Sequence, residues 1–227
     1  MLTPADITRI KNQIATILQA NAGVAPARTN TLLPISSLQG KLYEAHVLAT
    51  ICEKLVTQEG LRISLVGGRN LMLKQKGGAI NRAYPYFEVW RGRTLFGELF
   101  TDVYFNTLSY EMKGSPARQT YGDYHELDIA LLKPGQNGHP QHSEVMIAVE
   151  CKNTSIKKSI IRELLGFRRE LSFWSNRPLP TNFSAWPATQ THSNPNSVHM
   201  LYCSDNRVNR YSTNCLQFGI ILEHHQI

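Results

Sequence analysis

Hydrophobic residues repeat at helical intervals in the first quarter of the chain. In residues 7–20 and 36–57, apolar side chains recur every three or four positions, which predicts two amphipathic helices. Thr3 and Asp6 are suitable residues to cap the start of the first helix. Residues 21–33 between the two helices are largely polar and contain glycine and proline, so this segment is predicted to be a linker.

Beyond residue 60, short apolar runs bounded by turn-forming residues predict β-strands. The predicted strands are residues 84–90, 95–105, 125–132, 144–152, 198–203 and 216–222. A third amphipathic helix is predicted at residues 156–174, where an apolar face alternates with basic positions. Residues 176–197 are rich in Pro, Asn, Ser and Thr and are predicted to form a long loop.

This order of elements predicts an α/β fold with a central mixed β-sheet flanked by helices and an N-terminal helical appendage. The 227 residues are enough for one domain with a sizeable core. We assign residues 1–35 to the N-terminal helix and linker, and residues 36–227 to the main domain. Three roles are open for the appended helix: it forms a dimer contact, acts as a lid, or packs on the core. Packing on the core is the commonest of the three.

The two strands at 125–132 and 144–152 are predicted to form an antiparallel hairpin, because a loop rich in Pro, Gly and Asn joins them. If that loop is centred near residues 138–139, Asp128 faces Glu150. Glu150 and Lys152 then share one face of the sheet, because side chains alternate along a strand. The other face is apolar, would meet the core, and carries Val145, Ile147, Val149 and Cys151.

Two carboxylates and one ammonium group therefore meet at the end of a half-buried strand. Close carboxylates repel each other and raise one pKa unless a cation compensates them. Lys152 supplies one positive charge, and a hard divalent cation bound through oxygen would supply more. Magnesium-dependent cleavage of phosphodiesters uses such a set of residues. The alternative interpretation is a surface cluster of salt bridges.

At these residues the chain resembles the PD-(D/E)XK nuclease superfamily. Asp128 and the run Glu150-Cys151-Lys152 match the motif of that superfamily. Leu127 stands where the family has proline, a position that is variable in the superfamily. The resemblance extends as a pattern of elements over residues 38–222, and it implies a restriction-endonuclease-like core.

The resemblance also implies the roles of the site residues. Asp128 and Glu150 would hold one or two Mg²⁺ ions, with Mn²⁺ as a possible substitute, and the backbone carbonyl of Cys151 would be an extra ligand. Lys152 would orient the attacking water or help to deprotonate it. Glu44, on the helix before the sheet, would complete the site, although a solvated helix glutamate is the alternative. Asp102 is a spare candidate on the preceding strand.

The composition favours an anionic partner. The formal net charge is +7 and the isoelectric point is about 9.3, so nucleic acid is the natural candidate and general solubility the alternative. The candidate nucleic-acid-binding residues are Lys157, Lys158, Lys113 and Arg118, with Tyr121 and Tyr124 as possible base-stacking residues. A solvated basic face or a plain surface loop is the alternative at these positions.

Other functional classes are disfavoured. The four cysteines form no CxxC pair, so neither a zinc knuckle nor a redox motif is indicated. A cysteine hydrolase using Cys151 and His125 is disfavoured, because Cys151 lies on the predicted core face. No apolar run reaches the length of a membrane span, and the first residues lack the pattern of a signal peptide, so a cytoplasmic protein without a membrane partner is expected.

The sequence therefore predicts a metal-dependent endonuclease, with DNA favoured over RNA as the substrate. By resemblance, its biological roles include restriction or antiviral defence, repair and transposition. Two alternatives stay open: an RNA-cleaving nuclease of the same fold, and a non-catalytic module for nucleic-acid binding or assembly. A homodimer and a partner or activator subunit are both possible.

Overall fold

The computed structural model describes residues 2–29, 39–67 and 77–227. The helices in these residues are α1 (Pro4–Ala22), α2 (Pro26–Thr29), α3 (Gln39–Thr57), α4 (Leu108–Met112), α5 (Lys158–Leu171) and α6 (Ser212–Leu216). The strands are β1 (Arg62–Val66), β2 (Tyr86–Arg91), β3 (Thr94–Asn106), β4 (Tyr124–Leu132), β5 (Val145–Lys152), β6 (Phe173–Pro180), β7 (Gln190–Asn194), β8 (Val198–Cys203) and β9 (Ile220–His224). The predicted boundary between residues 35 and 36, and the predicted start of the second helix at residue 36, lie outside the described residues.

Seven strands form one mixed sheet in the order β1-β2-β3-β4-β5-β8-β9. The strands from β1 to β5 are antiparallel neighbours, whereas β5, β8 and β9 run parallel. A parallel neighbour requires a crossover connection, and α5 lies in the connection from β5 to β8. The predicted α/β fold with a central mixed sheet flanked by helices is confirmed.

The first helix packs on the core. The side chain of Thr3 caps its N-terminus and forms a reciprocal capping box with Asp6, as the sequence suggested. Ile10, Ile14 and Leu18 are buried in the same apolar cluster as the residues of α3 and of one face of the sheet. The spacing of these residues therefore joins α1 to the main core.

Each face of the sheet is covered by helices. Ile147, Val149 and Cys151 belong to the cluster that contains α1 and α3, as predicted, whereas Ala148 belongs to a second cluster with Leu171 of α5. The prediction that Val145 shares the face of Ile147 is wrong: Val145 lies in the second cluster, where the register of β4 and β5 shifts at Leu132. This division of β5 residues makes three layers, with the sheet between two helical layers. Glu150 and Lys152 alternate with the residues that face α3, which places them on the side of α5.

The segment predicted to be a long loop contains two strands. β6 and β7 pair as a separate antiparallel sheet, and α5 ends at Leu171 instead of reaching residue 174. Trp174, which the predicted helix face would have buried, lies on β6 with 58% of its surface exposed. Between β6 and β7, Phe183 and Trp186 are buried in the core cluster with α3. This sheet is a hairpin of consecutive strands, which the polar composition of the segment did not reveal.

Two smaller differences concern the C-terminal region and the membrane. The predicted strand at residues 216–222 is shifted, because α6 ends at Leu216 and β9 begins at Ile220. In the part of the chain that the structure describes, no helix is both long and apolar enough to cross a bilayer.

Candidate active site: an acidic row across the sheet

Three carboxylates from adjacent strands lie in one row. Within the β4–β5 hairpin, Ile129 pairs with Val149 and Ala130 with Ala148. This is the predicted register, and the backbone pairing ends at Ile129 and Val149, so Asp128 and Glu150 are the next residues on the two strands. On the other side of β4, Thr101 pairs with Ile129 and Val103 with Leu127. Asp102 therefore lies opposite Asp128, and we call Asp102, Asp128 and Glu150 the acidic row.

Asp128 lies where β4 and β5 stop pairing through their backbones. Its Oδ2 accepts a hydrogen bond from the backbone N–H of Cys151 at 2.7 Å. The carboxylate oxygen thus accepts a backbone hydrogen bond that a carbonyl oxygen of the neighbouring strand accepts in a regular sheet. Burial raises the pKa of Asp128, and the Cys151 hydrogen bond with the nearby Lys152 and Lys41 opposes that rise.

Glu150 and Lys152 lie side by side against α5. The ammonium of Lys152 is 3.3 Å from Oε2 of Glu150. Both side chains line a small cavity with residues of α5 that include Glu163 and Phe167. Burial, followed by repulsion from Asp128, raises the pKa of Glu150 to about 8. Burial disfavours the Lys152 ammonium, but attraction to Glu150 and Asp128 outweighs it and raises the lysine pKa.

A second lysine, which was not among the candidates from the sequence, lies at the Asp102 end of the acidic row. Lys41 on α3 donates to Oε2 of Glu44 at 2.6 Å and also contacts Oδ1 of Asp102. Burial raises the pKa of Glu44 to about 7, with Asp128 and Asp102 adding to the rise. Glu44 is therefore brought to the acidic row, where the sequence had placed it as a candidate.

Asp102 has an unusual environment for an acidic side chain. It is 0% exposed, and its backbone φ of 50° is in the left-handed region, which few residues other than glycine adopt. Its Oδ2 is buried and has no hydrogen-bond partner among the described residues. Burial raises its pKa, although the hydrogen bond from Lys41 opposes this. An aspartate inside an apolar strand was the signal in the sequence for this position.

The donor chemistry of the row fits a hard divalent cation, since carboxylate oxygens are the ligands that Mg²⁺ takes. The partnerless Oδ2 of Asp102 adds a free acceptor to this set. As the side chains are placed, however, no three His, Cys, Asp or Glu among the described residues converge to hold a metal ion. The acceptors contact N–H groups instead, from Lys41, Lys152 and the Cys151 backbone. The contribution of the Cys151 carbonyl stays a prediction.

Cys151 does not have the properties of a nucleophile. Burial raises the pKa of its thiol well above the usual value, and the surrounding carboxylates add to this. It belongs to the core cluster with α3, whereas His125 contacts the ring of Phe167 on α5, on the other side of the sheet. This separation disfavours a cysteine hydrolase built from these two residues.

The candidate nucleic-acid-binding residues differ in their surroundings. Lys157 caps α5 and Lys158 is its first residue, a few positions after Lys152, and both are exposed. Arg118 is also exposed, whereas Lys113 is ion-paired with the buried Asp123. None of the hydrogen bonds or ion pairs within the described residues joins these four to the acidic row.

An aromatic cluster lies at the start of β4. Tyr121 is 92% exposed and contacts the ring of Tyr124, which stacks on Tyr104 with ring centres 5.0 Å apart. Exposed rings of this kind are able to stack on bases. The base-stacking role of Tyr121 and Tyr124 stays a prediction from the sequence.

Comparison of the chain with known protein families, with curated proteins and with solved structures gave no match. The functional assignment therefore depends on the residues and the geometry of the acidic row.

Proposed function

We propose that the protein is a Mg²⁺-dependent nuclease that hydrolyses phosphodiester bonds, with DNA as the favoured substrate. The observation that carries this proposal is the β4–β5 register up to the pair Ile129–Val149, which makes Asp128 and Glu150 the next residues on the two strands, with Lys152 3.3 Å from Glu150. The likeness of these residues to the PD-(D/E)XK motif supports the same chemistry. The restriction-endonuclease-like identity of the core is part of the proposal.

Asp128 and Glu150 would hold the cation, together with the Cys151 carbonyl, and Mn²⁺ is a possible substitute for Mg²⁺. When bound, the cation supplies Lewis-acid polarisation of the phosphate and lowers the pKa of a water molecule. Its positive charge also relieves the repulsion that raises the pKa values of the two carboxyl groups.

Lys152 would act as a positive charge rather than as a base. Its raised pKa keeps the ammonium protonated at neutral pH. A protonated amine stabilises negative charge that develops on the phosphate, and it orients a water molecule by donating a hydrogen bond. Of the two roles that the resemblance implies for this residue, orientation of water therefore agrees better with its surroundings than proton abstraction.

Glu44 is the better candidate to accept a proton. Its pKa of about 7 is close to the pH at which proton transfer is most effective. We propose that Glu44 positions a water molecule next to the acidic row. The net charge of +7 and the exposed Lys157, Lys158 and Arg118 would attract the phosphate backbone. A homodimer would allow both strands of a duplex to be cut, and an activator subunit would switch cleavage on.

The proposal is tested by incubating the protein with plasmid, linear duplex DNA, single-stranded DNA and RNA, with Mg²⁺ or with a chelator. We expect Mg²⁺-dependent cleavage of DNA by the native protein. Asp128→Asn, Glu150→Gln and Lys152→Met should each lower the rate by at least about a hundredfold while binding is retained.

The chain offers a matched control on the same hairpin. Lys133 and Glu144 form an ion pair of 3.6 Å at the other end of β4 and β5. Glu144→Gln and Lys133→Met should leave cleavage unchanged. Cleavage that survives all three changes in the candidate site would refute the catalytic assignment. Cleavage of RNA alone, or binding without cleavage, would select one of the two alternatives.

A further inference from the structure

Lys41 is a closely held cation at the Asp102 end of the acidic row. Its side chain is 16% exposed, and its ammonium contacts one carboxylate that is 15% exposed and one that is 0% exposed. Glu44 is three positions along the same helix, whereas Asp102 is 61 positions away on β3. The contact with Asp102 therefore exists only because the fold brings α3 over the acidic row.

A buried aspartate needs such a partner. Moving a carboxylate out of water costs several kcal/mol unless a paired charge or hydrogen bonds compensate. Lys41 supplies that compensation at Oδ1 of Asp102, but Oδ2 is left buried and without a partner in the described part of the chain. Asp102 thus keeps one buried oxygen atom that a divalent cation is able to bind.

In the described part of the chain, the acidic side chains of Asp102, Asp128, Glu150 and Glu44 share two lysines, Lys41 and Lys152. Burial raises the pKa values of these four carboxyl groups, so they carry less than their full negative charge until a cation compensates them. Glu126 and Glu163 lie close enough to add further negative potential. A divalent cation would therefore enter a site that already contains competing positive charges.

We propose that Lys41 is the resident counterion of the acidic row, which holds Asp102 and Glu44 in place and sets by competition the affinity of the row for a divalent cation. This inference deepens the proposed function and rests on it. It makes Lys41 a positioning residue, and it adds Asp102 to the carboxylates that respond to the cation.

Binding of Mn²⁺ and of Mg²⁺, measured by calorimetry on the folded protein without substrate, tests this role. Removal of a unit charge a few ångströms from the cation should tighten binding by about tenfold or more in Lys41→Met. Lys41→Arg keeps the charge and should bind like the native protein. Lys54→Met is the matched control, because Lys54 lies on the same helix, about 20 Å further along it, and pairs with Glu223 at 3.6 Å.

Unchanged or weaker Mn²⁺ binding in Lys41→Met would overturn the proposal, since a purely structural lysine would not compete with the cation. Absence of binding in both the native protein and Lys41→Met would overturn it too, and would also remove the metal from the proposed function. If the native protein binds Mn²⁺ and cleaves DNA while Lys41→Met binds no more tightly, only the counterion role fails.

A second pair of variants tests the proposal if Lys41→Met does not fold. Lys41→Met leaves Asp102 buried without its cation, so circular dichroism should accompany each titration. If this variant does not fold, Asp102→Asn is compared with the double variant Lys41→Met/Asp102→Asn, in which the buried charge is gone. Tighter Mn²⁺ binding in the double variant than in Asp102→Asn supports competition by Lys41, and equal binding refutes it.

Discussion

Among the described residues, Lys41 lies at one end of the acidic row and Lys152 at the other, and the two lysines are held differently. Lys41 comes from a helix and contacts two carboxylates, one of which is fully buried. Lys152 comes from the strand that also carries its partner, is 3.3 Å from Glu150, and leaves 31% of its side chain exposed. A lysine committed to a buried partner stabilises the site, whereas a loosely held lysine is free to meet a substrate phosphate.

The largest expected difference between the two lysines is in catalysis. Lys152→Met should lower the cleavage rate at saturating Mg²⁺ by at least about a hundredfold, because a group that stabilises the transition state is lost. Lys41→Met should mainly move the Mg²⁺ dependence to lower concentrations. Rates measured over a range of Mg²⁺ concentrations separate these effects, and equal losses of rate in both variants would remove the distinction.

For the stability of the metal-free protein, we expect Lys41→Met to have the larger effect and Lys152→Met the smaller one. Lys41→Met should lower the free energy of unfolding by about 3 kcal/mol, because it leaves a fully buried carboxylate unpaired. Lys152→Met should lower it less, by about 1 kcal/mol, because 31% of the Lys152 side chain is exposed and water screens part of its charge. Urea unfolding with a chelator present measures both, with Lys54→Met as the control. A Lys41→Met variant as stable as the control would show that Asp102 does not depend on this cation.

The two ends should also respond differently to pH. The pKa is about 8 for Glu150 and about 7 for Glu44, both above the value of the unfolded chain. The folded state therefore retains these protons, so stability is full below about pH 4.5 and is lost as pH rises through the folded pKa values. Without divalent cations, the free energy of unfolding should fall between pH 5 and about 8. The contribution of Glu150 should be lost at a higher pH than the contribution of Glu44, because its pKa is higher.

Thermal unfolding of Glu150→Gln and Glu44→Gln measures this difference. Each variant should flatten the fall in stability, with Glu150→Gln acting in the upper part of the pH range. Glu144→Gln, whose carboxylate is at the far end of the same hairpin, should retain the native profile. A native stability that rises from pH 5 to 8 would contradict the expected sign.

The smallest expected effect lies outside the acidic row. Lys157→Gln/Lys158→Gln should reduce the slope of log affinity for DNA against log salt concentration by about 2, one for each phosphate contact. Lys113→Gln should change the slope less, because the Lys113 ammonium is already paired with Asp123. Fluorescence anisotropy with labelled DNA at several salt concentrations makes the comparison. Identical slopes for the native protein and the double variant would exclude Lys157 and Lys158 from the interface.

The sequence predicted the hairpin at the centre of the site well, because short-range features specify it. The alternation from Ile147 to Lys152 predicts which side chains share a face, and the loop between β4 and β5 agrees with the observed register up to the pair Ile129–Val149, next to Asp128 and Glu150. Glu44 was identified from its position on a helix before the sheet, and its place beside Asp128 agrees with that interpretation. The hairpin of β6 and β7 was missed, since its strands lack the alternation of apolar and polar residues by which the other strands were predicted.

The sequence by itself determined the mixed α/β fold and two of the three carboxylates of the acidic row, because hydrophobic periodicity and hairpin register are local properties of the chain. Only the tertiary structure decided that Asp102 joins that row and that Lys41 reaches it. A contact between residues 61 positions apart follows from how a helix packs across a sheet, and no spacing along the chain encodes it. Burial, which raises the pKa values of these carboxyl groups, is likewise a property of the folded molecule alone.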